Sequence, residues 1–448
     1  MTITASLLGL AAALVFLIGG YFTFRFRAFY LFHPIKTIRA MPLENGMRQM
    51  LLSLGGTVGV GNIAGVAVAL SVGGAGAVFW MWVGAFFSMA LKYAEIMLGM
   101  LKRTDGGGGA VYYIKERLGK IAAALFSVLL VCNCVMMGGT VQSSAISEAF
   151  FGAFSLSPVV TGVLVSLVTA AVFFFKVNVF SLSAYVVPAM SIGYVFAALS
   201  VIAVNFSGIP AVLAKILTDA FEPLSAGGGL LGIFFSPALS QGIVKGLFSN
   251  EAGCGTAPSA HVASSEKEPA RQALFGIFEV FVDTVLMCTL TAFVILLTLG
   301  DVAGNGGVTA TADAFSTLFG SAAPKVLALF VALFAFCTVI AFGYYGLSAL
   351  EYFKASKIGK NAFTLIYCIS LFVGAIAAPR AVWEVCDCIV CIMLIINTAA
   401  VFLSQREIID AHKRFYVHMG KYASSASKMR SRSSVGTKNA IPISDRET

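Results

Sequence analysis

The sequence predicts an all-α membrane protein that crosses the bilayer many times. Of its 448 residues, 58% are hydrophobic and 11% are charged, and the mean hydropathy is +0.90. A soluble domain carries roughly 25% charged residues, and about 20 consecutive apolar residues cross a bilayer. The net charge of +9 lies in short loops between apolar runs and in the C-terminal tail. This placement indicates membrane topology and argues against a nucleic-acid partner.

Eleven apolar runs are predicted to span the membrane, and we number them spans 1 to 11 in chain order. They lie at about residues 4–24, 47–72, 75–100, 119–151, 158–175, 180–205, 228–263, 270–299, 324–353, 361–378 and 381–404. Residues 1–404 are therefore expected to form one membrane domain in the lipid bilayer. Residues 405–448 are rich in Ser, Lys and Arg, and we expect them to form a basic, mostly disordered tail.

Positive residues predict which side of the membrane each loop faces. Lys and Arg are frequent after odd-numbered spans, as in 25–48 and 102–120, and in the tail. The loops after even-numbered spans, such as 72–75, 152–157 and 206–227, hold few of them. Loops rich in Lys and Arg stay in the cytoplasm. We therefore expect a multi-pass protein of the inner or plasma membrane with its N-terminus outside and its C-terminus in the cytoplasm.

The middle of span 2 is unsuited to a continuous helix. It carries five glycines with two polar residues between them: Gly55, Gly56, Gly59, Gly61, Gly65, Thr57 and Asn62. Each Gly in a helix interior costs about 1 kcal/mol relative to Ala, and an unpaired Asn in hydrocarbon is costly as well. The sequence therefore predicts a helix that breaks halfway, which is tolerated only where protein or a cavity covers the exposed backbone.

Span 7 contains a second polar interruption, in the segment FSNEAGCGTAP at 248–258. Gly253, Gly255 and Pro258 are expected to interrupt the helix there, and Glu251 places a carboxylate inside the span. An ionisable group at that depth indicates a function by default. In the structural alternative, Glu251 pairs with exposed amides or with Lys245 and only holds the break open. Broken spans in matching positions are the sequence feature that indicates the binding site of a secondary transporter.

The order of the spans predicts an inverted repeat. Five spans make up about residues 47–205 and five more make up about 228–404, and the first member of each set is broken. Because each set has an odd number of spans, the second set crosses the membrane in the opposite orientation to the first. Many secondary transporters have this arrangement. Span 1 is then an extra N-terminal helix in front of a 5+5 repeat.

The two ends of the span 2 break suit two different ligands. The second half-helix starts near Val60 and Gly61, where free amides and the positive end of the helix dipole favour a carboxylate. The first half ends in carbonyls, which favour a hard cation such as Na⁺. An amino acid and Na⁺ would satisfy both ends, and the glycines leave little room for a large ligand. The expected cation ligands of span 2 are the carbonyls of Gly55, Thr57 and Val58 and the side-chain oxygen of Asn62.

The two interrupted segments and two further motifs resemble the alanine or glycine:cation symporter family. The motifs are GGTVGVGNIAGVA at 55–67, GAGAVFWMW at 74–82, FSNEAGCGTAPSAHVAS at 248–264 and GGGGAVYYI at 106–114. Ala110 and Val111 depart from the family pattern, and the likeness extends over about residues 20–415. The resemblance implies a leucine-transporter-like fold and the coupling of Na⁺ or H⁺ to the uptake of small neutral amino acids.

The resemblance also indicates residues outside span 2. Gln142 in span 4 resembles a Gln that serves as a substrate ligand in the family, and helix–helix hydrogen bonding is its alternative role. Thr338 in span 9 follows a cation-binding pattern of the superfamily. The expected substrate ligands are Thr57, Val60, Gly61, Gln142, Phe248, Ser249 and Asn250, and the expected Na⁺ ligands are Gly55, Thr57, Val58, Asn62 and Thr338.

Together these features predict a secondary symporter, not an enzyme, that imports alanine or glycine with Na⁺ by alternating access. In the alternative, H⁺ is the coupling ion and Glu251 or Asp283 carries it. The strings G-x-S-G and G-x-G-D of intramembrane proteases do not occur, and no filter-like loop favours a channel. We expect no cofactor, with Na⁺ as the co-transported ion, and no obligate protein partner. Lys92 and Glu95, three residues apart in span 3, are expected to form a local ion pair, with a gate as their alternative role.

Overall fold

Helices account for all the regular structure in the part of the chain that the computed structural model describes, residues 3–104, 107–223, 236–302, 304, 306–376 and 379–419. Eight helical stretches of this part are long and apolar enough to cross a membrane, and the shorter helices Ala64–Gly73 and Pro158–Phe174 are apolar as well. The predicted all-α membrane class is therefore confirmed. The count of eleven spans and the inverted repeat stay predictions.

We number the helices α1 to α20 in chain order. The first ten are Ile3–Arg25, Phe29–Phe32, Pro34–Ala40, Leu43–Thr57, Ala64–Gly73, Gly76–Leu101, Ala110–Asn133, Gln142–Phe154, Pro158–Phe174 and Val179–Val204. The other ten are Ile209–Pro223, Pro237–Asn250, Ala257–His261, Pro269–Val280, Thr289–Thr298, Val308–Phe319, Ala323–Tyr352, Lys357–Ile376, Pro379–Leu403 and 405–419. Wide π-helical turns at Cys134–Val141 and Phe281–Cys288 join α7 to α8 and α14 to α15.

Span 2 is broken at the position that its glycines predict. α4 ends at Thr57 and α5 begins at Ala64, and one tight turn, Val60–Asn62, lies between them. Val58 and Ile63, on either side of this turn, are fully buried. Protein therefore covers the backbone that the break exposes, as a membrane interior requires.

Span 7 is also broken. α12 ends at Asn250, and α13 begins at Ala257. Gly253 (φ 83°) and Gly255 (φ 77°) adopt left-handed backbone between them, which glycine does at little cost. Pro258 lies in the first turn of α13, where its missing amide costs nothing. Pro258 thus starts the second half-helix rather than interrupting the first. Residues 224–235, where the predicted span 7 begins, lie outside the described residues.

α6 forms the centre of the helical bundle. Its residues 88–100 are all buried, and α1, α12 and α14 pack against it. α4 packs against α10 and α17, and α18 packs against α8 and α9. Each broken helix therefore lies against a long, continuous helix that fixes the position of its end.

Two helices lie in segments that the sequence analysis assigned to loops. α11 packs against α6, and α16 packs against α17. Both are short and partly polar, and in α11 Lys215 pairs with Asp219 one turn later, with 3.0 Å between Nζ and Oδ2. Neither helix is a long apolar run, so hydropathy alone does not predict them.

The first part of the predicted basic tail is helical. α20 covers 405–419 and buries Ile408, Ala411, Phe415 and Met419. These residues recur at helical spacing, so they form an apolar stripe within a basic segment. The structure therefore differs from the expected disorder over this stretch. Residues 420–448, to which the expectation of disorder also applied, lie outside the described residues.

Candidate functional site

The two broken helices meet at Asn62 and Ser249. Asn62 Nδ2 lies 3.2 Å from Ser249 Oγ and 2.8 Å from Asp283 Oδ1, and it also donates to the Asp283 carbonyl oxygen at 2.9 Å. All three residues are buried. One amide therefore connects the first break, the end of α12 and the π-helical turn between α14 and α15.

Asp283 is the candidate that sequence reasoning named but could not rank. Its carboxylate is fully buried, and Oδ2 accepts hydrogen bonds from Ser249 Oγ at 2.7 Å and Thr284 Oγ1 at 2.8 Å. No described Lys, Arg or His lies within ion-pair distance of it. A buried carboxylate without a cationic partner is costly unless a cation or a proton joins it. Only the packing of the helices shows that this Asp reaches the first break.

A cavity of about 280 Å³ lies beside this cluster. Four of the predicted substrate ligands line it: Val60, Gly61, Phe248 and Ser249. Small-molecule pockets have roughly 300–1,000 Å³, so this cavity suits a ligand at the small end of that range. The predicted ligands Thr57, Gln142 and Asn250 do not line it, whereas the charged residues Glu148 and Lys245 do.

Gln142 lies next to the first break rather than on the cavity wall. Its Nε2 donates to the Met137 carbonyl oxygen at 3.3 Å, and its Oε1 is buried without a hydrogen-bond partner. A Cβ atom on Gly59 would lie 3.7 Å from that oxygen. Leaving a buried acceptor unsatisfied costs about 1–3 kcal/mol. The Gln142 oxygen is therefore available to a donor or a cation that enters beside Gly59.

Thr338 of α17 lies against the end of α4, where the predicted cation site requires it. Its Oγ1 donates to the carbonyl oxygens of Gly55 at 3.1 Å and Phe334 at 3.2 Å. A Cβ atom on Gly59 would lie only 2.7 Å from this hydroxyl oxygen. Thr57 uses its own hydroxyl within α4, one turn back. The structure thus brings Thr338 next to Gly55 and Gly59, although Thr338 and Gly55 are 283 residues apart in sequence.

The side-chain oxygen of Asn62 contacts a backbone amide of its own break. It accepts a hydrogen bond from Gly59 N at 2.9 Å, which holds the turn between the half-helices. Its Nδ2 meanwhile donates to Asp283. The structure therefore shows Asn62 as the link between the break and Asp283, and a cation at its oxygen stays a prediction.

Asn250 supports the second break instead of lining the cavity. Its Nδ2 donates to Gly246 O at 2.8 Å and to Thr284 Oγ1 at 3.1 Å, and its Oδ1 accepts from Ala252 N at 3.0 Å. Its carbonyl oxygen accepts a hydrogen bond from Lys92 Nζ at 2.8 Å. Asn250 therefore fixes the end of α12 that carries Ser249 to the cavity.

The expected ion pair between Lys92 and Glu95 is wrong. Lys92 Nζ lies 3.1 Å from Glu279 Oε2 of α14. Glu95 Oε2 instead accepts hydrogen bonds from Gly253 N at 3.1 Å and Asn397 Nδ2 at 3.0 Å. The free amides of the second break attract the Glu95 carboxylate. Lys92 therefore pairs with Glu279 of the neighbouring helix α14. Glu251, for which pairing with such amides was one structural alternative, accepts a hydrogen bond from its neighbour Thr256 Oγ1 at 2.7 Å.

A chain of buried polar groups continues from Glu279, and sequence reasoning missed it. His261 Nε2 of α13 lies 2.7 Å from Glu279 Oε1, and Gln272 Nε2 lies 2.8 Å from His261 Nδ1. Ser53 Oγ of α4 donates to Glu279 Oε2 at 2.9 Å. This network contacts α13, which follows the second break, whereas α12, which precedes that break, lines the cavity.

Two interrupted helices that meet at buried polar groups beside a small cavity define a class of protein, the membrane transporters. The model of the sodium:alanine symporter family matches residues 2–429. The chain therefore belongs to the sodium:alanine symporter family, and it is a multi-pass amino-acid symporter rather than an enzyme.

Individual proteins agree with this assignment. The amino-acid carrier protein AlsT of Bacillus subtilis is 34% identical over 401 residues, which cover 86% of this chain and 85% of AlsT. The sodium/alanine symporter AgcS of Methanococcus maripaludis is 33% identical over 384 residues, covering 82% of this chain and 83% of AgcS.

Solved structures show the same fold at low sequence identity. The manganese transporter of Eremococcus coleocola, in complex with an aromatic bis-isothiourea substituted compound, matches with a TM-score of 0.50 and 12% identity. The match covers 85% of this chain and 94% of that one. It supports the leucine-transporter-like fold expected from the sequence.

Proposed function

We propose that this protein imports alanine or glycine together with Na⁺ by alternating access. One observation carries the proposal: the two helix breaks meet at a buried carboxylate beside a cavity of about 280 Å³. A cavity of this size suits a small neutral amino acid. The family description and the sodium/alanine symporter AgcS support Na⁺ as the coupling ion and alanine as the cargo.

In this proposal, the amides at Val60 and Gly61 bind the substrate carboxylate, because they lie in the turn between the two half-helices, just before α5 begins at Ala64. Gln142 Oε1, which lies beside Gly59 rather than on the cavity wall and lacks a partner, accepts a hydrogen bond from the substrate ammonium where the substrate reaches the first break. Phe248 and Ser249 form the facing wall of the cavity. The remaining predicted ligands, Thr57 and Asn250, act from behind this wall by holding the ends of α4 and α12.

Na⁺ binds where the carbonyls at the end of α4 meet α17. The Thr338 hydroxyl donates a hydrogen bond to the Gly55 carbonyl oxygen. When Na⁺ binds, it takes the place of this proton as the partner of the carbonyl oxygen. Oxygen ligands at a helix C-terminus suit a hard cation. The full cation set is Gly55, Thr57, Val58, Asn62 and Thr338.

Alternating access needs a closed and an open side. With the N-terminus outside and the C-terminus in the cytoplasm, α12 and the cavity face the exterior. The network of Lys92, Glu279 and His261 then closes the cytoplasmic side. Residues 47–205 and 228–404 form the inverted repeat whose relative motion exchanges the two states.

The deciding experiment is uptake of radiolabelled alanine into proteoliposomes that hold the purified full chain. An inward Na⁺ gradient alone is expected to drive uptake, an inward pH gradient alone is not, and unlabelled glycine is expected to compete. A specific observation favours H⁺ as the second candidate, because the buried Asp283 carboxylate lacks a cationic partner among the described residues. Uptake that ignores Na⁺ and follows the pH gradient would establish that alternative.

A further inference from the structure

A groove of about 1200 Å³ lies between the end of α1, the short helix α2 and α20. Its volume exceeds the roughly 300–1,000 Å³ of ordinary small-molecule pockets. The groove shares no lining residue with the cavity at the helix breaks. The transport proposal therefore does not account for it, and its chemistry has to be considered separately.

The charged side chains that line this groove are all cationic. They are Arg25, Arg27 and Lys413, and no described carboxylate lines the groove with them. Arg25 and Arg27 lie within ion-pair distance of no described Asp or Glu, and the pair of Lys413 with Asp410, 3.9 Å apart, is exposed. The groove therefore presents positive charge that the described part of the protein leaves largely unneutralised.

The rest of the lining is mostly apolar and unusually exposed. Phe24 is 82% exposed, Phe32 is 74% exposed and Val417 is 78% exposed. Phe87 and Ile409 form the deeper wall. In a membrane domain, large apolar side chains at the surface lie against lipid tails, and here they lie beside cationic side chains whose geometry suits phosphate. A free inorganic anion would leave this apolar wall in water.

The backbone between α1 and α2 adopts a costly conformation that shapes the groove. Arg27 (φ 55°) and Ala28 (φ 43°) are both left-handed, a state that residues other than glycine rarely adopt and that concentrates at functional sites. The turn reverses the chain after α1, so Phe32 of α2 and Arg25 of α1 line the same groove.

We propose that this groove binds one anionic glycerophospholipid from the bilayer. Its phosphate lies at Arg25, Arg27 and Lys413, since guanidinium groups match phosphate geometry, and an acyl chain lies along Phe24 and Phe87. The candidate span Leu7–Arg25 ends at the first of these cations, which is the depth of the headgroups. The chain's own tail is a poor occupant, because residues 420–448 carry six Lys or Arg against two Asp or Glu.

Native mass spectrometry of the full chain in a neutral detergent tests this proposal. The protein is titrated with phosphatidylglycerol or with phosphatidylcholine, and the bound lipid is counted. Phosphatidylglycerol is expected to bind roughly tenfold more tightly, and the R25Q/R27Q/K413Q variant is expected to lose roughly fivefold in affinity for each cation removed. The K120Q/K354Q/K357Q variant removes three exposed cations that do not line the groove and is expected to bind like the unaltered chain.

Two results would overturn the proposal: equal loss of lipid in both triple variants, or displacement of the lipid by an equal concentration of glycerol 3-phosphate. The first would show a general effect of charge, and the second would show that the apolar wall contributes nothing. The single variant K413Q changes a side chain that is 68% exposed, so we expect it to fold. If the triple variant fails size-exclusion chromatography, K413Q replaces it, and its affinity for phosphatidylglycerol is expected to fall roughly fivefold.

Discussion

Lys92 Nζ lies 3.1 Å from Glu279 Oε2, and both side chains are fully buried. Ser53 and His261 also bond to this glutamate, so the pair joins α6 and α14 to both broken helices. A buried ion pair adds little net stability, but removal of one partner leaves an uncompensated charge. In the proposed transport cycle this network is the closed cytoplasmic gate, which has to separate when substrate leaves.

Lys92→Met is expected to destabilise the protein by about 3–5 kcal/mol, because Glu279 then stays buried without its ammonium partner. The double variant K92M/E279Q is expected to recover most of this loss. The apparent melting temperature in detergent measures both. As a control, Lys360→Met breaks an exposed pair with Glu351 and should cost less than about 1 kcal/mol. Similar losses from Lys92→Met and Lys360→Met would contradict a special role for the buried pair.

Asp283→Asn is expected to abolish coupling while the fold survives. The amide keeps the size of the carboxylate. Its oxygen can still accept from Asn62 and its nitrogen can donate to the Ser249 hydroxyl oxygen, but the amide can neither carry a proton nor compensate a cation. Gradient-driven alanine uptake should fall by about tenfold or more, a change of about 1.4 kcal/mol. Asp313→Asn, an exposed site on α16, is the matched control. Full gradient-driven uptake by the Asp283 variant would remove Asp283 from the mechanism.

Gly59→Ala is expected to weaken Na⁺ activation of uptake. The added Cβ would lie 2.7 Å from Thr338 Oγ1, so it pushes the hydroxyl away from the Gly55 carbonyl. The Na⁺ concentration for half-maximal uptake should rise by about tenfold. Gly152→Ala on α8 is the control, because nothing lies within 4 Å of the added methyl group and Gly152 does not line the cavity. The same shift in both variants would indicate helix rigidity as the cause rather than a cation site at Thr338.

The positions of both helix breaks could be predicted from sequence because they depend on local chemistry. Gly59 and Gly61 lie where the helix of span 2 stops, and Gly253 and Gly255 adopt the left-handed backbone that other residues avoid. These features need no knowledge of which helices are neighbours.

The partners of buried polar groups could not be predicted in this way. Asn62 and Asp283 are 221 residues apart, and no periodicity indicates that they touch. Lys92 and Glu95 share a helical face, yet each bonds to a different neighbouring element. Which acid a lysine meets depends on how the helices pack, and the unpaired amides of a break compete for carboxylates in a way that charge spacing alone does not show.

His412 predicts a pH dependence of stability outside the membrane-spanning helices. It is buried in α20 with its ring centroid 4.5 Å from that of Phe26 and 5.0 Å from that of Phe29. Burial lowers the pKa of His412 from 6.5 to about 4. Between these values the unfolded chain binds the proton and the folded chain does not. The stabilising contribution is therefore complete above pH 6.5 and is lost as the pH falls toward 4.

The free energy of unfolding that the protein loses between pH 6.5 and 4 through His412 is at most about 3 kcal/mol, because each pKa unit corresponds to about 1.36 kcal/mol. His412→Phe keeps an aromatic ring in the cluster and removes the titrating group, so its melting temperature should fall less steeply between pH 6.5 and 4. His418→Phe changes an exposed residue of the same helix and should leave the slope unaltered. If His412→Phe follows the pH profile of the unaltered chain, then His412 already carries its proton in the folded state and α20 is more open than this packing shows.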